Sequence, residues 1–120
     1  MELNNAIISQ LKQIAEHYGF TSQANMLTEE AAEFTVALNK LRRGNTDAYD
    51  NIKEEVADVL VIALQLRELL GAEKIDEIIH EKVDRQLRRI QSENAYYESQ
   101  ICMMKAESAW LKQKGEENAT

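Results

Sequence analysis

Apolar residues recur at steps of three and four along almost the whole chain. Leu3, Ile7, Leu11, Ile14 and Tyr18 form one stripe, which predicts a first helix stopping at Gly19. Leu27, Ala31, Phe34, Leu38 and Leu41 form a second, with Thr21 or Ser22 as its cap and Gly44 as its end. Ile52, Val56, Val59, Ala63, Leu66 and Leu70 form a third, capped by Asn45 or Thr46 and closed by Gly71. Ile75, Ile79, Val83, Leu87 and Ile90 mark a fourth. From Ser92 to Lys114, Tyr97, Ile101, Met104 and Leu111 repeat, with Trp110 beside them, as a further helix or a continuation of the fourth. Short links between long helices force antiparallel neighbours. The expectation is an all-α chain: an antiparallel four-helix-bundle-like core over residues 1–91, an extra C-terminal helix over 92–114, and a disordered tail over 115–120.

An internal echo overlies this pattern. Leu27-Thr-Glu-Glu-Ala-Ala-Glu-Phe34 matches Ile52-Lys-Glu-Glu-Val-Ala-Asp-Val59, and the apolar stripes keep step. A helix turns about 100° per residue. With Leu27 at zero, Glu30 falls at roughly −60°, inside the apolar face, and Glu33 at roughly −120°, on its border. Glu29 points away. The same phase sets Glu55 beside the third stripe, Asp58 on its border and Glu54 outward. A single ExxE is ordinarily a solvated helix face. Two in one phase, both against the core stripe, bring four carboxylates together, where burial and mutual repulsion favour a divalent cation. The all-oxygen set selects Mg²⁺, with Mn²⁺ as the alternative, over zinc.

On the fourth helix Lys82 falls on the apolar side and Arg85 and Arg89 line its edge. Cations facing a metal cluster suit phosphate oxygens; an ion pair with an inward carboxylate, or a snorkelling Lys82, is the plainer alternative. Glu77 and His80 match half of a di-iron pattern that has no second half here. Gln23 is placed to read a base edge or to fill the first turn of its helix. Tyr96, Tyr97 and Trp110 fit helix packing or base stacking.

Composition narrows the classes. No proline and four glycines among 120 residues favour long helices. A net charge of −7 argues against binding duplex nucleic acid, which needs a basic footprint. It leaves phosphate ligands open, because a metal supplies positive charge. Cys102 alone makes neither a disulfide nor a cysteine zinc site. The opening MELNNAIISQLKQ has no basic region followed by an apolar core, and no stretch is long and apolar enough to span a membrane. A cytoplasmic protein with no membrane partner is expected.

Glu29-Glu30-x-x-Glu33, followed by Glu54-Glu55-x-x-Asp58 and then Val59-Leu60, resembles the MazG-type all-α NTP pyrophosphohydrolases. Tyr18-Gly19 and Gln23 ahead of the first motif, and Glu81-Lys82-Val-Asp-Arg85 on the last core helix, extend the likeness over roughly residues 15–91. The resemblance implies Mg²⁺ on Glu30, Glu33, Glu55 and Asp58 as the catalytic carboxylates. It implies phosphate contacts from Lys82 and Arg85, with Gln23 at the substrate. It also implies cleavage of the α–β bond of a nucleoside triphosphate and a homodimer or homotetramer. Phosphoribosyl-ATP pyrophosphohydrolases and dimeric dUTPases share the superfamily and stand as alternatives. A non-catalytic helical binding module or structural oligomer is the alternative outside it.

Overall fold

The computed structural model describes residues 4–119. Their regular structure is entirely helical, in four elements: α1 (Asn5–Tyr18), α2 (Phe20–Arg42), α3 (Ala48–Leu70) and α4 (Ala72–Ala119). The expected contribution of Leu3 to the first stripe lies outside the described residues, as does Thr120 of the expected tail.

Three glycines make the links. Each adopts a positive φ, which side chains with a Cβ avoid. Gly19 joins α1 to α2 by itself: its N–H donates to the Ala15 carbonyl at 2.8 Å, and its own carbonyl accepts from Gln23 at 3.1 Å. Because the chain turns within one residue, α2 begins at Phe20. Thr21 and Ser22 therefore lie inside its first turn and do not cap it. Gly44 completes a Schellman ending on α2, with Gly44 N–H donating to Leu41 and Asn45 N–H to Lys40. The side chains of Asn45 and Thr46 do not cap α3 either. Their backbone carbonyls take the N–H groups of Ala48 and Tyr49, and Asp47 stands at the cap without a side-chain bond. Asn4 caps α1, its Oδ1 accepting from Ile7 at 3.0 Å.

The chain divides into two compact units, Met1–Asp76 and Glu77–Thr120. In the first, α2 and α3 form a hairpin and α1 packs against both. The α2 side of the hairpin seam is Gln23, Leu27, Glu30, Phe34, Ala37 and Leu41; the α3 side is Ala48, Ile52, Glu55, Val59, Ile62 and Leu66, all buried or half-buried. The seam corrects the expected stripes. Leu27, Phe34, Leu41, Ile52, Val59 and Leu66 hold their places, whereas Ala31, Leu38, Val56, Ala63 and Leu70 are exposed. The helix faces are rotated by part of a turn, enough to carry Glu30 and Glu55 from beside the core into the line of contact.

A bidentate pair ties the end of α3 to the start of α4. Arg67 donates through Nε to Asp76 Oδ1 at 2.7 Å and through Nη2 to Oδ2 at 2.6 Å, while Nη1 reaches Glu68 at 2.6 Å. These acceptors raise the Arg67 pKa, with the Asp76 hydrogen bonds the largest cause. They hold the one-residue bend at Gly71.

The second unit is the remainder of α4. The helix runs without a break through Ser92 and past Gly115, where a tail was expected, to Ala119. Glu and Ala after Gly115 are good helix formers, and Lys114 pairs with Glu117 at 3.2 Å. Its large apolar side chains, among them Leu87, Tyr97, Ile101 and Trp110, are exposed. No helix among the described residues is long and apolar enough to cross a membrane.

Candidate metal centre

Helix phase brings three of the four carboxylates together. Glu30, Glu55 and Asp58 each offer one oxygen, and these oxygens lie within 4.8 Å of one another. Glu30 and Glu55 are half-buried; Asp58 is exposed. Glu33 stands outside this close group and is exposed, yet its charge is the largest electrostatic influence on both Glu30 and Glu55. Glu29 and Glu54 are exposed, as their phase demands.

Partial burial raises the Glu30 carboxyl above its ordinary range, and the charges of Glu33, Asp58, Glu55 and Glu29 add to the rise. Burial also raises Glu55, followed by Glu33, Asp58 and Glu54; a side-chain hydrogen bond from Asn51 pulls it back. One oxygen of each, Glu30 Oε2 and Glu55 Oε2, is shut off from solvent with no hydrogen-bond donor. A buried acceptor left in this state is costly. A proton or a cation would relieve it. Two oxygens on one Mg²⁺ lie at most about 4.2 Å apart, so small side-chain rotations would let the group close on an ion. The residues present therefore fit a hard divalent cation.

Two cavities flank the carboxylates. One, of about 330 Å³, is bounded by Glu33, Val36, Ala37, Lys40, Asn51 and Glu55. The other, of about 320 Å³, is bounded by Ile14, Tyr18, Ser22, Gln23, Met26, Ile62 and Gln65. The internal repeat relates them: Ala37 corresponds to Ile62, Lys40 to Gln65 and Asn51 to Met26. Lys40, Asn51 and Gln65 escaped the sequence reading. Lys40 and Asn51 belong to no motif, and Gln65 sits within a run of leucines. The available signal was the repeat itself, which marks them by register.

Gln23 lies in the second cavity and is buried. Lys82 and Arg85 lie on α4 in the other unit, exposed, as does His80.

Residues 19–92 match the model of one protein family, described as the MazG nucleotide pyrophosphohydrolase domain. That stretch is more than half of the chain and contains both acidic motifs. No curated protein and no solved structure gives a match.

Proposed function

The chain belongs to the MazG nucleotide pyrophosphohydrolase family, and we propose that it is a Mg²⁺-dependent enzyme that hydrolyses the α–β anhydride of a nucleoside triphosphate. Water adds to the α-phosphorus, the bridging bond breaks, and the products are a nucleoside monophosphate and pyrophosphate.

The observation that carries the reading is the pair of dry, donorless carboxylate oxygens on Glu30 and Glu55 beside Asp58. Glu30, Glu55 and Asp58 hold the ion, and Glu33 completes the set. The ion supplies charge neutralisation for phosphate oxygens and acidifies water at the site. Asn51 orients Glu55 by donating to it. Lys40, in the cavity that borders Glu33 and Glu55, takes phosphate oxygens left uncovered. Gln23 meets the base. A phosphate role for Lys82 and Arg85 rests on the family resemblance alone.

The active form is a homodimer or homotetramer. Leu11 and Leu66 are the only buried apolar side chains larger than alanine among the described residues. So thin a core leaves apolar surface that a second copy would cover.

Pyrophosphate release from a panel of nucleoside triphosphates, with and without Mg²⁺, tests the reading. Metal-dependent release with the matching monophosphate is expected; release of orthophosphate alone, or none from any triphosphate, would refute it.

A further inference from the structure

Along α4 the apolar spacing changes at Leu87. Ile75, Ile79, Val83 and Leu87 step by four. From Leu87 the steps alternate strictly between three and four, through Ile90, Asn94, Tyr97, Ile101, Met104, Ser108 and Leu111 to Gly115. A strict seven-residue repeat is the mark of a helix wound about another helix, because it keeps one seam turned toward the partner. Every residue from Glu77 to Asn118 is exposed, and the seam's Leu87, Ile90, Tyr97, Ile101, Met104 and Leu111 are each more than half exposed. So long an apolar seam on a lone helix is costly in water.

We propose that α4 pairs antiparallel with α4 of a second copy of this chain, as a two-stranded coiled coil centred between Cys102 and Met103. The seam lies almost wholly beyond residues 19–92, which match the family. It is separate from any cover over the first unit and does not rest on the catalytic reading. Three features choose the orientation and register. The first is charge. The flanking positions set Glu98 beside the partner's Lys105 and Glu93 beside the partner's Lys114, each twice by symmetry, with no like charges opposed. Lys114 exchanges an exposed bond to Glu117 for this contact. A parallel pair would set Glu93 against the partner's Glu98 on both sides. Sliding the antiparallel pair by one heptad, either way, would set Glu98 or Lys105 against its own counterpart. The second is size. Tyr97 comes opposite the partner's Ser108 and Ile90 opposite the partner's Gly115, with Ile101 on the partner's Met104 at the centre. A parallel pair would match Asn94 with its counterpart, but it would also stack Tyr97 on its own copy and leave a gap at Ser108 and Gly115. The third is a second stripe: Tyr96, Met103 and Trp110 recur every seven residues beside the seam, all exposed. Antiparallel pairing puts both copies' stripes on one edge, with Tyr96 level with the partner's Trp110. Parallel pairing would put them on opposite edges.

The test is pulsed dipolar spectroscopy on the full chain with one spin label per copy. Cys102 is the only cysteine, is exposed, and sits at the proposed centre. Labels there should lie within about 25 Å of each other, a helix spacing of about 10 Å plus the label arms. Labels on Gln113→Cys, in a Cys102→Ser background, should stand about 30 Å apart along the axis at 1.5 Å per residue. Glu98→Lys should weaken the association about ten-fold by opposing lysines twice, and adding Lys105→Glu should restore it. All these side chains are exposed in the single chain, so its own fold does not depend on them. Equally short distances at both labels, no dipolar signal between copies, or a Glu98→Lys loss that Lys105→Glu fails to repair overturns the proposal.

Discussion

Glu30 and Glu55 occupy matching seats on the two helices of one hairpin, and each turns a carboxylate oxygen into the seam with no donor to meet it. Stability and function therefore pull in opposite directions at these positions. Glu55→Gln should leave the metal-free fold at least as stable as the parent at neutral pH, because it removes a repelled, partly buried charge. The same change should lower pyrophosphate release by more than about a hundred-fold, the upper cost of losing a mere supporting partner of a metal. Melting curves and a pyrophosphate assay on one preparation check both halves.

Added Mg²⁺ should raise the melting temperature of the parent and fail to raise that of Glu55→Gln. An ion that binds only the folded chain stabilises it by about 2.7 kcal/mol at one hundred times its dissociation constant. Chelator should return the parent to its metal-free value.

Metal-free stability should carry a pH signature from the two glutamates. Both have folded values above the ordinary 4.5, so folding favours their protonated forms. Their contribution is fully present below that ordinary value and is lost as pH rises through the raised one. Relative to Glu30→Gln or Glu55→Gln, the parent should thus lose ground between pH 4.5 and neutrality. Urea midpoints for the three proteins across that window measure it.

Lys40→Met should raise KM for a triphosphate about ten-fold, the size of one charge-assisted hydrogen bond, while leaving the Mg²⁺-induced rise in melting temperature in place. Steady-state kinetics on a single substrate would show it.

Gly44→Ala isolates backbone conformation from packing. Gly44 has φ 92°, and a Cβ there would meet nothing within 4 Å. The cost should be about 1–2 kcal/mol, from the left-handed backbone alone, seen as a lower urea midpoint at unchanged slope.

How far the sequence reached depended on what kind of signal each feature carries. Helix phase is a one-body property, so Glu30 and Glu55 could be separated from Glu29 and Glu54 by angle alone. The exact seam is a two-body property. Leu38 and Val56 looked like core because they are apolar, yet packing of α2 on α3 chose Glu30, Ala37, Glu55 and Ile62. The caps failed for a related reason: Thr21 and Ser22 have the right chemistry, but Gly19 turns the chain so tightly that it takes the cap position of α2 itself, with no side chain to bond. Gln65 was invisible because nothing local distinguishes a buried glutamine at the border of a cavity from one on a surface.

The repeat within the α2–α3 hairpin bears on substrate direction. A frame built from two copies of one helical phrase has no intrinsic head or tail, and a nucleotide laid across its centre would fit either way round. The departures from the repeat break that tie, among them Gln23 where its counterpart is Ala48, Gln65 where it is Lys40 and Met26 where it is Asn51, together with α1, whose Ile14 and Tyr18 border one cavity and not the other. Under the proposed function, the sense in which a nucleotide lies across the carboxylates is written in those few side chains. Exchanging them across the hairpin would be expected to turn the substrate end for end while the backbone stayed as it is.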